Sequence, residues 1–361
     1  MRVKHCIRPS AAGVGALAAL VFLIGGAFEA SASCGSASCF LVTGSEAGVQ
    51  PKGKLVVDLR YMYVPSNAPD GGLSGRVAAV DQERRRVILD EHQEHRTITE
   101  TTILDVNYGL TDRVTLELTV PYRKIKHSHV IEVGEANGGA GDFESFQDTG
   151  LGDVRLTGKY SVLPTLRSLL VFGLGVDLPT GDSHANNIER KLQEPTLQLG
   201  RRTWGTVASI YQSYEVIPHR LNQFASASYR HSFTGSNSYR FGDEYILTGG
   251  MNLKTLNVVT LTGQFNWRYI VHDEFAGDLR RSLFPGDAGF PGDPEVIDPV
   301  LKRRPVPNTG STMLAFSPGV SIAVTERASV YFHAQVPIAR DFNGGVQQEI
   351  SFLGGLTMAL N

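Results

Sequence analysis

His127 and His129 stand two residues apart, and in an extended strand that spacing turns both imidazoles to one face. Such a pair begins a metal site, but the sequence supplies no third ligand beside it, so no metal is expected. Asp142, Glu144, Asp148 and Asp153 follow the run Gly138-Gly-Ala-Gly. Carboxylate oxygens suit calcium, yet the spacing is not that of an EF-hand, and a solvated acidic loop is the simpler reading. Phe284-Pro-Gly-Asp287 recurs as Phe290-Pro-Gly-Asp293. Pro-Gly-Asp is turn chemistry first. The alternative is a loop binding site, with Phe284 and Phe290 meeting a hydrophobic solute and Asp287 and Asp293 a cation. None of the 10 histidines has a serine two positions away, the placement that would let a base reach a nucleophile on one strand. The expectation is a protein that is no enzyme and carries no cofactor.

The N-terminus shows how the chain is handled. Arg2, Lys4 and Arg8 precede an apolar run from Ala11 to Ala27 and the small residues Ala30-Ser31-Ala32, the pattern of a secretory signal occupying 1–32. A retained anchor and a lipoprotein acylated on Cys34 are the alternatives. Cys6 falls within the signal. Cys34 and Cys39 remain in a short periplasmic segment, 33–52, where an exported chain favours a local disulfide over a thiolate site.

These residues must be positioned by strands. In Val258–Val271, Val259, Leu261, Phe265, Trp267, Tyr269 and Val271 share one face, while Thr260, Thr262, Gln264, Asn266 and Arg268 share the other. One face suits lipid and the other water. The segments are longer than ordinary strands and match the roughly 9–11 tilted residues that cross a bilayer. Composition agrees: 42% hydrophobic residues give a mean hydropathy of only -0.09, as expected where the apolar belt is encoded strand by strand. A net charge of -2 offers no basic face for nucleic acid.

The fold class read from this pattern is all-β, an antiparallel transmembrane barrel occupying 53–361. Twelve strands are predicted near 53–64, 97–109, 113–126, 151–162, 168–179, 203–215, 221–233, 242–254, 257–271, 312–324, 327–338 and 347–360. Short connections near 109–112, 163–167, 217–220, 254–256 and 325–326 are assigned to the periplasm. The longer ones, 65–96, 127–150, 180–202, 234–241, 272–311 and 339–346, are assigned to the outside. The first should contain a hairpin, from Leu73-Ser-Gly-Arg-Val-Ala-Ala-Val to Arg86-Val-Ile-Leu-Asp, above the membrane. Tyr61, Tyr63, Tyr108, Tyr122, Tyr160, Trp204, Tyr214, Trp267 and Tyr269 fall near strand ends as an interfacial girdle.

Turning the polar face inward lines the lumen with Asp58, Arg60, Asp105, Glu117, Arg123, Asp153, Arg155, Lys159, Asp177, Arg230, Glu244, Arg268, His333 and Glu349. Acids and permanent cations are nearly balanced. A ring of one sign is what sorts ions, so strong charge selectivity is not expected. Two readings stand: side chains that pair across and plug a narrow lumen, or a narrow polar tube.

Several segments resemble the outer-membrane transporter family associated with the meta-pathway of phenol degradation. They are Tyr108-Gly-Leu-Thr-Asp-Arg-Val before Val120-Pro-Tyr, Gly150-Leu-Gly-Asp-Val-Arg-Leu-Thr-Gly-Lys-Tyr, Leu178-Pro-Thr-Gly-Asp and Tyr239-Arg-Phe-Gly-Asp-Glu-Tyr, together covering most of 100–270. The resemblance implies an outer-membrane channel for passive or gated uptake of small hydrophobic or aromatic molecules. Its partners would be outer-membrane lipid, the solute and the barrel assembly machinery. The alternative is a non-conducting barrel that displays its loops. The chain departs from the usual barrel ending by closing on Met358-Ala-Leu-Asn361 in place of a terminal Phe or Tyr.

Overall fold

A computed structural model describes residues 48–131, 142–163, 165, 167–186, 192–280 and 303–360. The signal, Cys34 and Cys39 lie outside the described residues, as do Phe284, Asp287, Phe290 and Asp293.

Twelve strands form the wall. They are β1 (Leu55–Asn67), β3 (Arg86–Thr111), β4 (Val114–Ile131), β6 (Val154–Ser161), β7 (Ser168–Leu178), β8 (Gly205–Ile217), β9 (Leu221–Ser232), β11 (Glu244–Lys254), β12 (Val259–Ile270), β16 (Ser311–Ala323), β17 (Ala328–Asp341) and β19 (Ser351–Ala359). Each pairs antiparallel with two wall neighbours, and β1 closes the ring by pairing with both β3 and β19. Closure leaves no unpaired edge, which a bilayer core without water requires of any sheet that crosses it.

Alternation within the strands sets the two surfaces. In β7, Phe172, Leu174 and Val176 face outward while Val171 and Asp177 are buried inside. Tyr108, Tyr160 and Tyr214 lie toward the end with short turns, which is periplasmic. Trp204, Tyr245 and Tyr269 lie toward the other end. Both groups are exposed, as a girdle at each interface would be.

Beyond the outer girdle the wall does not stop. β4 continues to Ile131 and pairs there with β5 (Asp142–Leu151), so most of 127–150 is strand and not the predicted loop. The acidic residues 144 and 148 therefore stand on a strand and not on a solvated loop. The sequence hid this because a strand outside the membrane has no lipid face to mark. β3 likewise runs unbroken from the predicted hairpin into the wall, and its upper part pairs with β2 (Arg76–Asp81).

This hairpin lies against the other extracellular segments. β10 (Tyr239–Arg240), β13 (Glu274–Phe275) and β15 (Arg304–Pro305) form a small sheet, β14 (Asp278–Arg280) runs parallel beside β3, and β18 (Gln347–Gln348) extends the edge of β1. Ala78, Val80, Val87, Tyr239, Phe241, Phe275 and Val306 form one buried apolar cluster between them. The described ends of 272–311 thus belong to a cap at the extracellular end.

Leu174 is 72% exposed near the middle of its strand. Leu174→Arg should therefore cost about 2–4 kcal/mol, against about 0–1 for Leu163→Arg at the periplasmic edge. Urea unfolding in lipid vesicles measures both.

Candidate functional site: the lumen and its extracellular mouth

The lumen wall is a set of hydrogen-bonded ion pairs carried by adjacent strands. Arg60 on β1 reaches Asp105 on β3 at 2.7 Å and Asp58 at 3.5 Å. Asp58 also accepts bonds from the hydroxyls of Tyr331 (2.8 Å) and Thr357, and Asp105 accepts from Thr119. Lys159 on β6 meets Glu117 on β4 at 2.9 Å. Asp177 on β7 holds two guanidinium groups, with Arg155 Nε and Arg230 Nε each at 2.6 Å, and Arg230 extends toward Glu244 at 4.0 Å. Register produces these groupings: Asp58 is level with Asp105, Arg155 with Asp177, and Arg230 with Glu244.

Other candidates sit elsewhere. Arg123 donates to the Leu199 carbonyl at 2.9 Å, tying the wall to an outer loop. Asp153 accepts from the backbone N–H groups of Gly181 and Arg201, so it is a loop anchor. Glu349 lies at the extracellular rim, paired with Arg340 at 3.0 Å. His333 is buried on β17. Arg268 is buried beside a run of uncharged polar groups, of which the sequence places Gln264 and Asn266 on the polar face but not among the lumen candidates. Asn266, Ser317, Gln264 and Thr248 bond to one another, and Gln348 bonds Gln335 and Ser351. Their inward parity was readable, but their pairing across β11, β12 and β16 required the register. On this side of the barrel the side chains fill the space. A cavity of ≈ 500 Å³ opens near the periplasmic end, lined in part by Tyr211, Phe224, Asn252, Thr262 and Tyr331.

The quoted family segments lie at joints. Gly181 and Gly200 face each other, and a Cβ on Gly200 would fall 2.7 Å from the Gly181 Cα. A Cβ on Gly242 would collide with the Val271 carbonyl, so Tyr239-Arg-Phe-Gly-Asp can pass its neighbour only with glycine there. Tyr239 OH and the Gly242 N–H both donate to Asp273. Tyr239 and Phe241 enter the cap core, while Asp243 accepts from Tyr229, His231 and Arg240.

Beneath the hairpin, the histidine pair has a third member. The His92 ring lies 4.9 Å from His129, which lies 5.1 Å from His127. Cross-strand register makes this trio, since His92 is opposite Ile131. Glu91 bonds His92 Nδ1 at 2.6 Å, Glu94 lies 4.0 Å from His92 Nε2, and Glu144 lies 3.6 Å from His129 Nε2. No group of three His, Cys, Asp or Glu among the described residues has metal-holding geometry.

The carboxylates also latch the cap. Glu94 accepts from the Val346 N–H at 2.9 Å, and Glu194, from the 179–204 connection, accepts from the Val80 N–H at 3.1 Å. Burial pushes Glu94 up to about 8 and Glu194 up to about 7. Burial pushes His127 well down and His129 down to about 4, with neighbouring imidazoles adding to both. For His92 burial acts downward, but the Glu91 hydrogen bond and charge outweigh it and the net shift is upward.

A family model described as "Putative MetA-pathway of phenol degradation" matches residues 98–288. The fold is similar to the crystal structure of an outer membrane channel from Pseudomonas putida F1, with a TM-score of 0.55 at 12% identity over 89% of this chain and 100% of that one. It is also similar to the Ralstonia pickettii toluene transporter TbuX, with a TM-score of 0.40 at 12% identity over 87% and 90% of the respective chains. No curated protein matches the sequence. The closed barrel places the chain in the outer membrane.

The latch predicts a pH dependence. Closed-cap pKa values raised at Glu94, Glu194 and His92 contribute stability that is full at low pH and lost as pH rises, for the two glutamates through about 7 to 8. Depressed values at His127 and His129 contribute stability present above the ordinary histidine range and lost as pH falls toward 4. Amide exchange at Val77 and Val80, corrected for its intrinsic pH dependence, should be slow and nearly flat between about 4.5 and 6.5, where the falling contribution of the two glutamates and the rising one of the two histidines nearly cancel. It should speed up by about tenfold per pH unit between roughly 6.5 and 8. Glu94→Gln with Glu194→Gln should remove the glutamates' share of the alkaline rise and leave only that of His92, which Glu91 sustains.

Proposed function

The chain belongs to the phenol-degradation MetA-pathway family, and from that premise we propose that it is an outer-membrane channel for small hydrophobic, in particular aromatic, molecules. The observation that carries this reading is a closed barrel whose polar lumen ends at an apolar cap, to which the Tyr239-Arg-Phe-Gly-Asp segment contributes Tyr239 and Phe241. Transport is diffusion down a gradient. A solute with an apolar body and a polar tip meets Phe241, Phe275 and Val306 when the cap opens, then the hydroxyl, amide and charged groups of the wall. A hydroxylated ring can exchange hydrogen bonds with such a wall, whereas an aliphatic chain cannot. The paired signs in the wall, Arg60 with Asp105 and Lys159 with Glu117, give it no net field to sort ions. No reaction is assigned to it.

One observation favours a second reading, that of a silent, loop-displaying barrel. Gln264, Asn266, Ser317 and Gln335 are wholly buried, so this part of the lumen is filled in the conformation described.

Single-channel recording of the refolded protein in a planar bilayer separates the two. The channel reading predicts discrete openings that phenol blocks at one face, and an ion selectivity altered by Arg230→Glu with Arg268→Glu but not by Val259→Ala. A correctly folded barrel that never opens would support the second reading.

A further inference from the structure

On the outer wall at the extracellular girdle, a hollow of ≈ 560 Å³ is bounded by Val176, Pro179, Trp204, Phe233 and the 234–236 segment. Its floor is small because Thr206 and Gly205 stand between the larger residues of β7 and β9. The walls continue the lipid-facing surface: Val176, Trp204 and Phe233 are 40%, 54% and 49% exposed. They are also held firmly. Thr203 Oγ1 donates to the Phe233 carbonyl at 2.7 Å, the Phe233 N–H donates to the Trp204 carbonyl at 3.0 Å, and His231 packs edge-on against Phe233.

Arg202 lines the same hollow. It occupies a left-handed backbone position, φ 57, and its guanidinium makes no ion pair or hydrogen bond among the described residues. The nearby acids are engaged: Asp177 lies inside the wall with Arg155 and Arg230, and Asp243 holds Tyr229, His231 and Arg240. A cation unpaired among the described residues, beside an apolar notch at the depth where the aromatic girdle marks the headgroup boundary, matches an acyl chain joined to an anionic head.

We propose that this notch binds one phosphorylated lipid of the outer leaflet, an acyl chain lying over Thr206 between Trp204 and Phe233 and a headgroup phosphate meeting Arg202. The site is independent of the lumen and of what the channel carries.

Native mass spectrometry of the full chain, titrated with bisphosphorylated lipid A in detergent, tests it. The expected result is one retained lipid. Affinity should fall by about fivefold or more with Arg202→Gln and, separately, when the phosphates are stripped from the lipid. Thr206→Trp, which fills the notch from its floor, should abolish retention, while Arg167→Gln on a periplasmic turn should change nothing. Equal retention by wild type and Arg202→Gln, or equal binding of the phosphate-free lipid, would overturn the proposal. Those two results decide it even if Thr206→Trp does not refold.

Discussion

A backbone N–H or C=O left unpaired in hydrocarbon costs several kcal/mol, and the architecture of the membrane-spanning wall follows from avoiding that cost. Pairing β1 with both β3 and β19 removes the last edge. Closure then fixes which side chains face inward, and those on the inner face meet one another in a narrow space. An isolated charge there would be more costly than the backbone group just satisfied, so Asp177 sits between Arg155 and Arg230, and Asp58 between Arg60, Tyr331 and Thr357. The register that closes the barrel is the same register that pairs the charges.

Outside the membrane the constraint lifts, and the architecture changes with it. β3 and β4 continue past Lys124 and Lys126, which face outward near Glu100, into water. There β5 and the hairpin can add to the sheet without a lipid face. The hairpin's apolar residues turn to a separate core with Tyr239 and Phe275, so the mouth has its own small apolar cluster. Polar bonds also hold it: the titratable carboxylates of Glu94 and Glu194 accept from Val346 and Val80, and the Asn308 amide accepts from Ala78. The hairpin is also continuous with the wall through β3, so the carboxylates tie the neighbouring extracellular segments to an element that the ring already holds.

What could be read from sequence divides along the same boundary. Where lipid imposes alternation, as in Val259–Ile270, strand position and facing were legible to within a few residues. Beyond the membrane that code ends. The 127–150 segment looked like a loop because Phe143 to Thr149 alternates without an apolar side to mark. His127 and His129 were visible as a pair, but His92 joins them only through β3–β4 register, and Glu194 comes from a distant loop. The glycine-containing family segments were recognisable as words before their use was clear. Gly242 and the Gly181–Gly200 contact show that they are joints where backbones cross too closely for a side chain.

The central claim is that the extracellular cap on the closed ring controls passage. Val87 on the hairpin and Leu279 on β14 are register partners, so cysteines at both positions can be bridged across the cap. Conductance of this double variant in a planar bilayer should fall on oxidation and recover on reduction. Identical conductance in the two states would show that the cap is not the gate.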